Sequence, residues 1–188
     1  MLPVLTEVAA SLKAGALVIS VAAGVTLSAM RRVVPAGAHL ARVMPNTPSE
    51  IGEGMNTFVC EGDLPQQQRD LLTSLLDIWG QSTEIDESAL NASCALLAVG
   101  PTYLLPLAEQ LMVSAEASGL PPGIARSATA QLFAGVGALL SRTDRTAEDL
   151  LNMISMQPMD APAARKVIGD AYWAVLGKLG EVEAKLSG

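Results

Sequence analysis

The chain changes character near Glu87. Before that point, short apolar runs rich in β-branched residues alternate with stretches patterned at helical spacing. After it, apolar residues recur only at helical spacing and no run reads as a strand. That asymmetry allows few folds. Alternation predicts an α/β sheet with its helices, and the remainder predicts an all-helical body. The expected fold class is therefore α/β plus all-α, with residues 1–86 forming a partial, parallel, Rossmann-like sheet and residues 87–188 a helical domain.

Residues 3–14 read as a helix, with Val4, Leu5, Val8 and Leu12 on one face and Gly15 as its stop. The run "ALVISVAAG" is bounded by glycines and reads as a buried parallel strand. Thr26 is placed to cap a short helix, "LSAMRRVV", which Pro35 and Gly37 end. "HLARVM" and "MNTFVC" are two further strands. Asp63 and Pro65 open the helix "QQQRDLLTSLLDIWG", and "STEID" is a last short strand. Helices are predicted over 88–98, 101–118, 122–141, 146–156 and 162–186, with breaks at "GLPPG" and "SRTDRT". Thr146 and Asp149 have the spacing of a capping box.

Composition narrows the function classes. Half of the residues are hydrophobic and 16% are charged, so disorder is excluded. Aromatics are only 3%, which leaves a core of Leu, Val, Ala and Met. The net charge is −7 without a basic cluster, so nucleic acid is not an expected partner. Two cysteines, Cys60 and Cys94, are too few for a disulfide framework, and a cytoplasmic location is expected. "MLPVLTEVAASLK" lacks the basic start of a signal peptide. Ser88 to Ala108 carries no charge and has the length of a bilayer crossing. Pro101, Pro106, Asn91 and Ser93 interrupt it, so a buried helix–turn–helix is expected, with no membrane. Such an apolar segment calls for a large covering surface and points to an oligomer.

The segment "RVMPNTPSEIGEG", Arg42 to Gly54, is the most pointed local feature. A polar, proline-stiffened loop follows directly on an apolar strand. Pro45 ends the strand, Asn46 offers amide donors and acceptors, and Pro48 rigidifies the turn. Other candidates read as structural. His39 is the only histidine and has no cluster around it, so no metal site is expected. Glu84, Asp86 and Glu87 read as a solvated acidic turn. Ser20 and Ser93 have no base in reach by sequence, and Met30, Met44, Met112 and Met153 sit at core-like positions. "GVGALL" lies inside a helical pattern and is read as helix packing, not as a nucleotide turn.

"LVISVAAGVTL", "ARVMPNTPSEIGEG", "GPTY" and "ASGLP", in that order, resemble the pyrroline-5-carboxylate reductase family. The resemblance covers roughly residues 1–155. It implies reduction of pyrroline-5-carboxylate to proline with NADP or NAD as cofactor, a dinucleotide-binding domain, and a C-terminal helical domain that makes a homodimer. It further implies that Ala22, Ala23, Gly24, Met44, Pro45 and Asn46 lie at the cofactor, and Gly100, Pro101 and Tyr103 at the small-molecule imine substrate. It assigns no catalytic residue.

Three departures accompany the resemblance. No G-x-G-x-x-G turn occurs among these residues, so the adenine and pyrophosphate sites have no counterpart in them. The family's "SGSGPAY" is here "LAVGPTY", which exchanges two serines for Leu97 and Val99. The family's substrate loop "SPGGTT" is here "MQPMDA", where Pro158 removes a donor and Asp160 adds a negative charge. Two readings follow: a cyclic-imine reductase, or a catalytically inactive dimeric family member that serves as scaffold or binding protein.

Overall fold

The computed structural model describes residues 2–187. They form two compact units: the residues up to 101 together with those from 170 onward, and Thr102–Gly169.

The first unit is built on a four-stranded sheet in the order β1-β2-β3-β4. The strands are β1 (Leu17–Ser20), β2 (His39–Met44), β3 (Gly54–Cys60) and β4 (Gly80–Glu84). All four predicted strands form. β1 with β2 and β3 with β4 are parallel, but β2 and β3 run antiparallel, with Met44 opposite Thr57. The sheet is thus mostly parallel, and its centre departs from the expected pattern. The cause is the connection. Residues 45–53 form only a 3-10 turn, Thr47–Ile51, closed by Gly52 at φ +74°. A parallel crossover needs a dozen or more residues.

Side chains alternate across β2 and β3, so each face builds its own core. On one face Leu40, Met44 and Val59 meet α1 (Leu2–Ala9), α2 (Leu27–Arg31) and α4 (Leu90–Ser93) through Leu5, Met30 and Leu90. Leu179 and Leu186 from the end of α8 (Ala161–Ser187) pack on the same cluster. α1 is shorter than its apolar pattern, and it exposes Val4 and Val8. On the other face Val43, Phe58 and Cys60 meet α3 (Gln66–Trp79). α3 buries Leu72 and Leu76 fully, one turn apart. Each of those leucines stabilises the unit by about 2 kcal/mol. Met30 and Met44 are core residues as expected, whereas Met153 is exposed.

Burial and the neighbouring Glu84 carboxylate push the Cys60 thiol up to about 11, against the opposing pull of Arg69. The raised value means that folding disfavours the thiolate. The associated stability is full below pH 9 and is lost as pH rises towards 11. Cys60→Ala should therefore flatten the decline of stability between pH 9 and 11. Chemical unfolding of both proteins across that range, read as a difference, checks this.

After α4 the chain makes a π turn, Cys94–Ala98, in which Val99 N–H donates to the Cys94 carbonyl at 3.1 Å. A Cβ on Gly100 would stand 2.2 Å from the Leu96 carbonyl oxygen, so only glycine fits this close approach. The helical run 87–117 has the length and composition of a bilayer crossing. Its first part instead sits in the sheet unit's core, where Leu90, Cys94 and Ala95 are buried.

The second unit holds α5 (Pro101–Ala117) from Thr102 onward, α6 (Pro122–Arg142), α7 (Ala147–Asn152) and α8 up to Gly169. The predicted capping box closes on α7: Thr146 Oγ1 accepts from Asp149 N–H, and the Asp149 carboxylate accepts from Thr146 N–H. The sequence GVGALL lies within α6, as expected. α5 and α6 present a groove of about 540 Å³ lined by Leu104, Leu107, Leu111, Leu132, Val136 and Leu140. Those leucines and the valine are exposed in the single chain, so the apolar segment expected to be buried is covered only in its first part.

Candidate functional site

In the parallel pair β1–β2, Ser20 stands opposite Arg42. Both strands therefore finish at the same end of the sheet. Ala22–Ala23–Gly24 leaves β1 there, and Met44–Pro45–Asn46 leaves β2 beside it. Loops at adjacent carboxyl ends of parallel strands form the crevice in which α/β sheets take ligands. Gly24 has φ +77°, and a Cβ on it would meet Val182 Cγ1 at 2.7 Å. α8 thus packs closely against this turn, and Thr26 follows it, whose Oγ1 accepts from Ala29 N–H at 3.1 Å and caps α2.

Met44 is buried in the core below the loop, so of this residue only the backbone faces the loop. Asn46 is half-buried. Its Oδ1 accepts from Met55 N–H at 3.1 Å, which ties the loop to the start of β3. Behind it lie two residues that sequence reasoning missed. Ser49 donates to Asn56 Oδ1 at 2.9 Å, and Asn56 Nδ2 donates to the Gln81 carbonyl at 3.1 Å. Asn56 is fully buried. An asparagine inside an apolar strand was the available signal. Gly54 admits this packing, because a Cβ there would lie 2.0 Å from Ser49 Oγ.

In the acidic run Glu84 and Asp86 are exposed, as expected of a solvated turn, but Glu87 turns inward. Glu87 Oε1 accepts from Leu27 N–H and from Arg42 Nη1, each at 2.7 Å. Arg42 is fully buried mid-strand, and its Nε and Nη2 have no protein partner among the described residues. Glu84 pairs with Arg69 at 2.7 Å. A charged side chain at an inward strand position requires a counter-ion, and Glu87 supplies it.

Of the substrate-side candidates, Gly100 and Pro101 follow the π turn in the sheet unit, and Tyr103 belongs to the helical unit near the start of α5. Asp160 sits before α8, where its Oδ1 accepts from Ala163 N–H at 3.0 Å. Its carboxylate therefore occupies the helix N-terminus, the place where a bound anion would otherwise gain most. Among the described residues no three His, Cys, Asp or Glu side chains converge to hold a metal. The strand-end loops offer backbone amides, the Asn46 side chain and hydroxyls, and the ionisable groups among residues 45–53 are the exposed Glu50 and Glu53.

The fold matches the crystal structure of Plasmodium falciparum pyrroline carboxylate reductase with NADP bound at a TM-score of 0.85 and 19% identity, over 97% of this chain and 77% of that one. It matches the Coxiella burnetii pyrroline-5-carboxylate reductase at 0.77 and 24%, over 96% and 71%. Residues 87–158 match the family model for pyrroline-5-carboxylate reductase dimerisation. The Corynebacterium melassecola pyrroline-5-carboxylate reductase is 31% identical over 150 residues, 78% of this chain and 56% of that protein. The Danio rerio pyrroline-5-carboxylate reductase 3 is 31% identical over 147 residues, 78% and 51%. The chain belongs to the pyrroline-5-carboxylate reductase family. It spans about half the length of the curated relatives it matches.

Proposed function

We propose that the chain takes part in NAD(P)H-dependent reduction of a cyclic imine, pyrroline-5-carboxylate to proline, as a homodimer joined through its helical half. The observation that carries this reading is the side-by-side exit of Ala22–Gly24 and Met44–Asn46 from two parallel strands. Residues 1–86 then serve the nicotinamide end of the cofactor and 87–188 serve dimerisation. The residues present suit that end: a turn with Gly24 at φ +77°, and an Asn46 amide whose Nδ2 has no hydrogen-bond partner among the described residues. A bound cofactor supplies a hydride to the ring C=N carbon. The protein's part is to hold the two rings in register and exclude water, which accounts for several kcal/mol of barrier. Gly100, Pro101 and Tyr103 are placed on the substrate side.

The apolar groove on α5 and α6 supports the dimer, since a contiguous face of exposed leucines is costly in water. We read it as covered by protein and not by membrane, and the net charge of −7 speaks against nucleic acid. Cys60 and Cys94 are both free and buried, which suits a cytoplasmic location. Asp160 favours a second reading of the substrate. Its carboxylate already fills the start of α8, so an imine with less negative charge than pyrroline-5-carboxylate would be accommodated better.

Calorimetric titration of the chain with NADPH and, separately, with NADH tests the proposal. Weak, millimolar binding is the expected result, because the adenine and pyrophosphate sites have no counterpart in these residues, and no heat at millimolar cofactor overturns the proposal for this chain. Turnover of 1-pyrroline in preference to pyrroline-5-carboxylate would establish the second reading of the substrate.

A further inference from the structure

Exposed methionine sulfur is concentrated in one short stretch of the helical unit. Met153 is 64% exposed, Met156 78% and Met159 64%, all between the end of α7 and the start of α8. Met30 and Met44 are buried in the sheet unit at 0% and 4%, and Met55 and Met112 are half-buried. The stretch is held in a fixed shape. Gln157 Nε2 donates to the Leu151 carbonyl at 2.9 Å and to the Ile154 carbonyl at 3.1 Å. Arg145 Nη1 donates to Met153 Sδ at 3.3 Å. Met159 lines the apolar groove of α5 and α6. The other oxidisable sulfurs are shielded. Cys60 and Cys94 are free and buried. Burial pushes the Cys60 thiol up to about 11 and raises Cys94 as well, which keeps both from forming the reactive thiolate.

We propose that Met153, Met156 and Met159 form a modification site for two-electron oxidants of the peroxide class, and that the sulfoxide at Met159 weakens the homodimer. The second half rests on the reading of the groove as the homodimer face. A sulfur lone pair attacks one peroxide oxygen, the S–O bond forms, the O–O bond breaks and water leaves. The sulfur is oxidised by two electrons and the peroxide is reduced by the same two. The product carries a strong acceptor oxygen where a weak one stood. At Met153 that oxygen gains a charge-assisted hydrogen bond from Arg145. At Met159 it faces a groove of leucine, valine and phenylalanine, whose single amide, Gln110 Nε2, already donates to Ser114 Oγ at 3.1 Å. Covering an unpartnered oxygen there raises the dimer dissociation constant about 10-fold for each copy. A two-fold interface uses the residue twice, so about 100-fold is expected when both copies carry it. The oxidant meets Met159 in the open chain, which exchange of subunits supplies.

Peroxide treatment of the full chain, followed by peptide mass spectrometry and sedimentation, tests it. Oxygen should add at Met153, Met156 and Met159 well before Met30 or Met44, with both thiols still free. Equal oxidation of buried and exposed methionines, or earlier loss of the thiols, overturns the site. The oxidised dimer should dissociate about 100-fold more readily, and the methionine sulfoxide reductases for the two epimers, with a dithiol that ends as a disulfide, should restore it. Met159→Leu keeps an apolar side chain that cannot take the oxygen, so its own dissociation constant should not move on the same treatment. A constant that moves equally in the parent and in Met159→Leu would place the effect at another residue and sink the coupling. An unmoved constant in the fully oxidised parent would sink it too. If the untreated chain sediments as a monomer at every concentration, the homodimer reading falls and the coupling with it, and the peptide map still decides the modification site.

Discussion

Glu87→Ala is expected to lower the free energy of unfolding by about 3 kcal/mol, because it strands a buried guanidinium. Arg42 exposes 2% of its side chain, and Nη1 to Glu87 is its single protein hydrogen bond among the described residues. The same carboxylate oxygen accepts from Leu27 N–H, so the first turn of α2 loses its partner too. Urea unfolding measures the loss. Glu87→Gln keeps an acceptor for both groups and should cost about half as much. Arg42→Met combined with Glu87→Ala should recover part of the deficit, since no charge is then left in the core. A change of less than about 0.5 kcal/mol in Glu87→Ala would mean that the pair is dispensable and that Arg42 is solvated.

Gly80→Ala should be comparably damaging for a different reason. Gly80 has φ +122°, and a Cβ on it would lie 2.4 Å from the Gly54 carbonyl oxygen and 2.6 Å from the Gly54 nitrogen. Both obstacles are backbone atoms of the paired strand, and Gly80 stands opposite Gly54 in the β3–β4 register. Nothing can rotate away, so the first pair of the ladder must separate. The expected loss is about 3 kcal/mol or more. Gly62→Ala is the matching control. Its φ is +59° with no atom within 4 Å, so it carries only the left-handed backbone cost of about 1 kcal/mol. Thermal melts of the two variants separate close approach from backbone conformation. Similar shifts in both would contradict the close Gly80–Gly54 approach.

The strands and most helices were legible because they rest on local signals: β-branched runs, caps and glycine stops. Strand direction was not, since an apolar run reads the same in either sense. The nine residues between Met44 and Gly54 held the missing information, being too few for a crossover. Period two along "HLARVM" sets Leu40, Arg42 and Met44 on one face, and so hinted that a charge was turned inward. Its partner lies 45 residues away, and nothing local connects Arg42 to Glu87. Within the acidic run, the inward role of Glu87 was missed for the same reason. At the candidate site, the prolines of the β2 loop drew notice to Asn46, while Ser49 and Asn56 act through tertiary contacts that spacing does not encode.

The two margins of the sheet are unlike. Within the described residues β1 and β4 each pair on one side only. β4 reads Gly-Gln-Ser-Thr-Glu, and its ion pair from Glu84 to Arg69 discourages another strand from adding there. β1 reads Leu-Val-Ile-Ser and carries no charge, proline or bulge. A short, apolar, unguarded margin is a template for cross-β addition. Leu17–Ser20 is thus the edge of the described sheet on which a further strand, from the same protein or from another copy, would pair most readily.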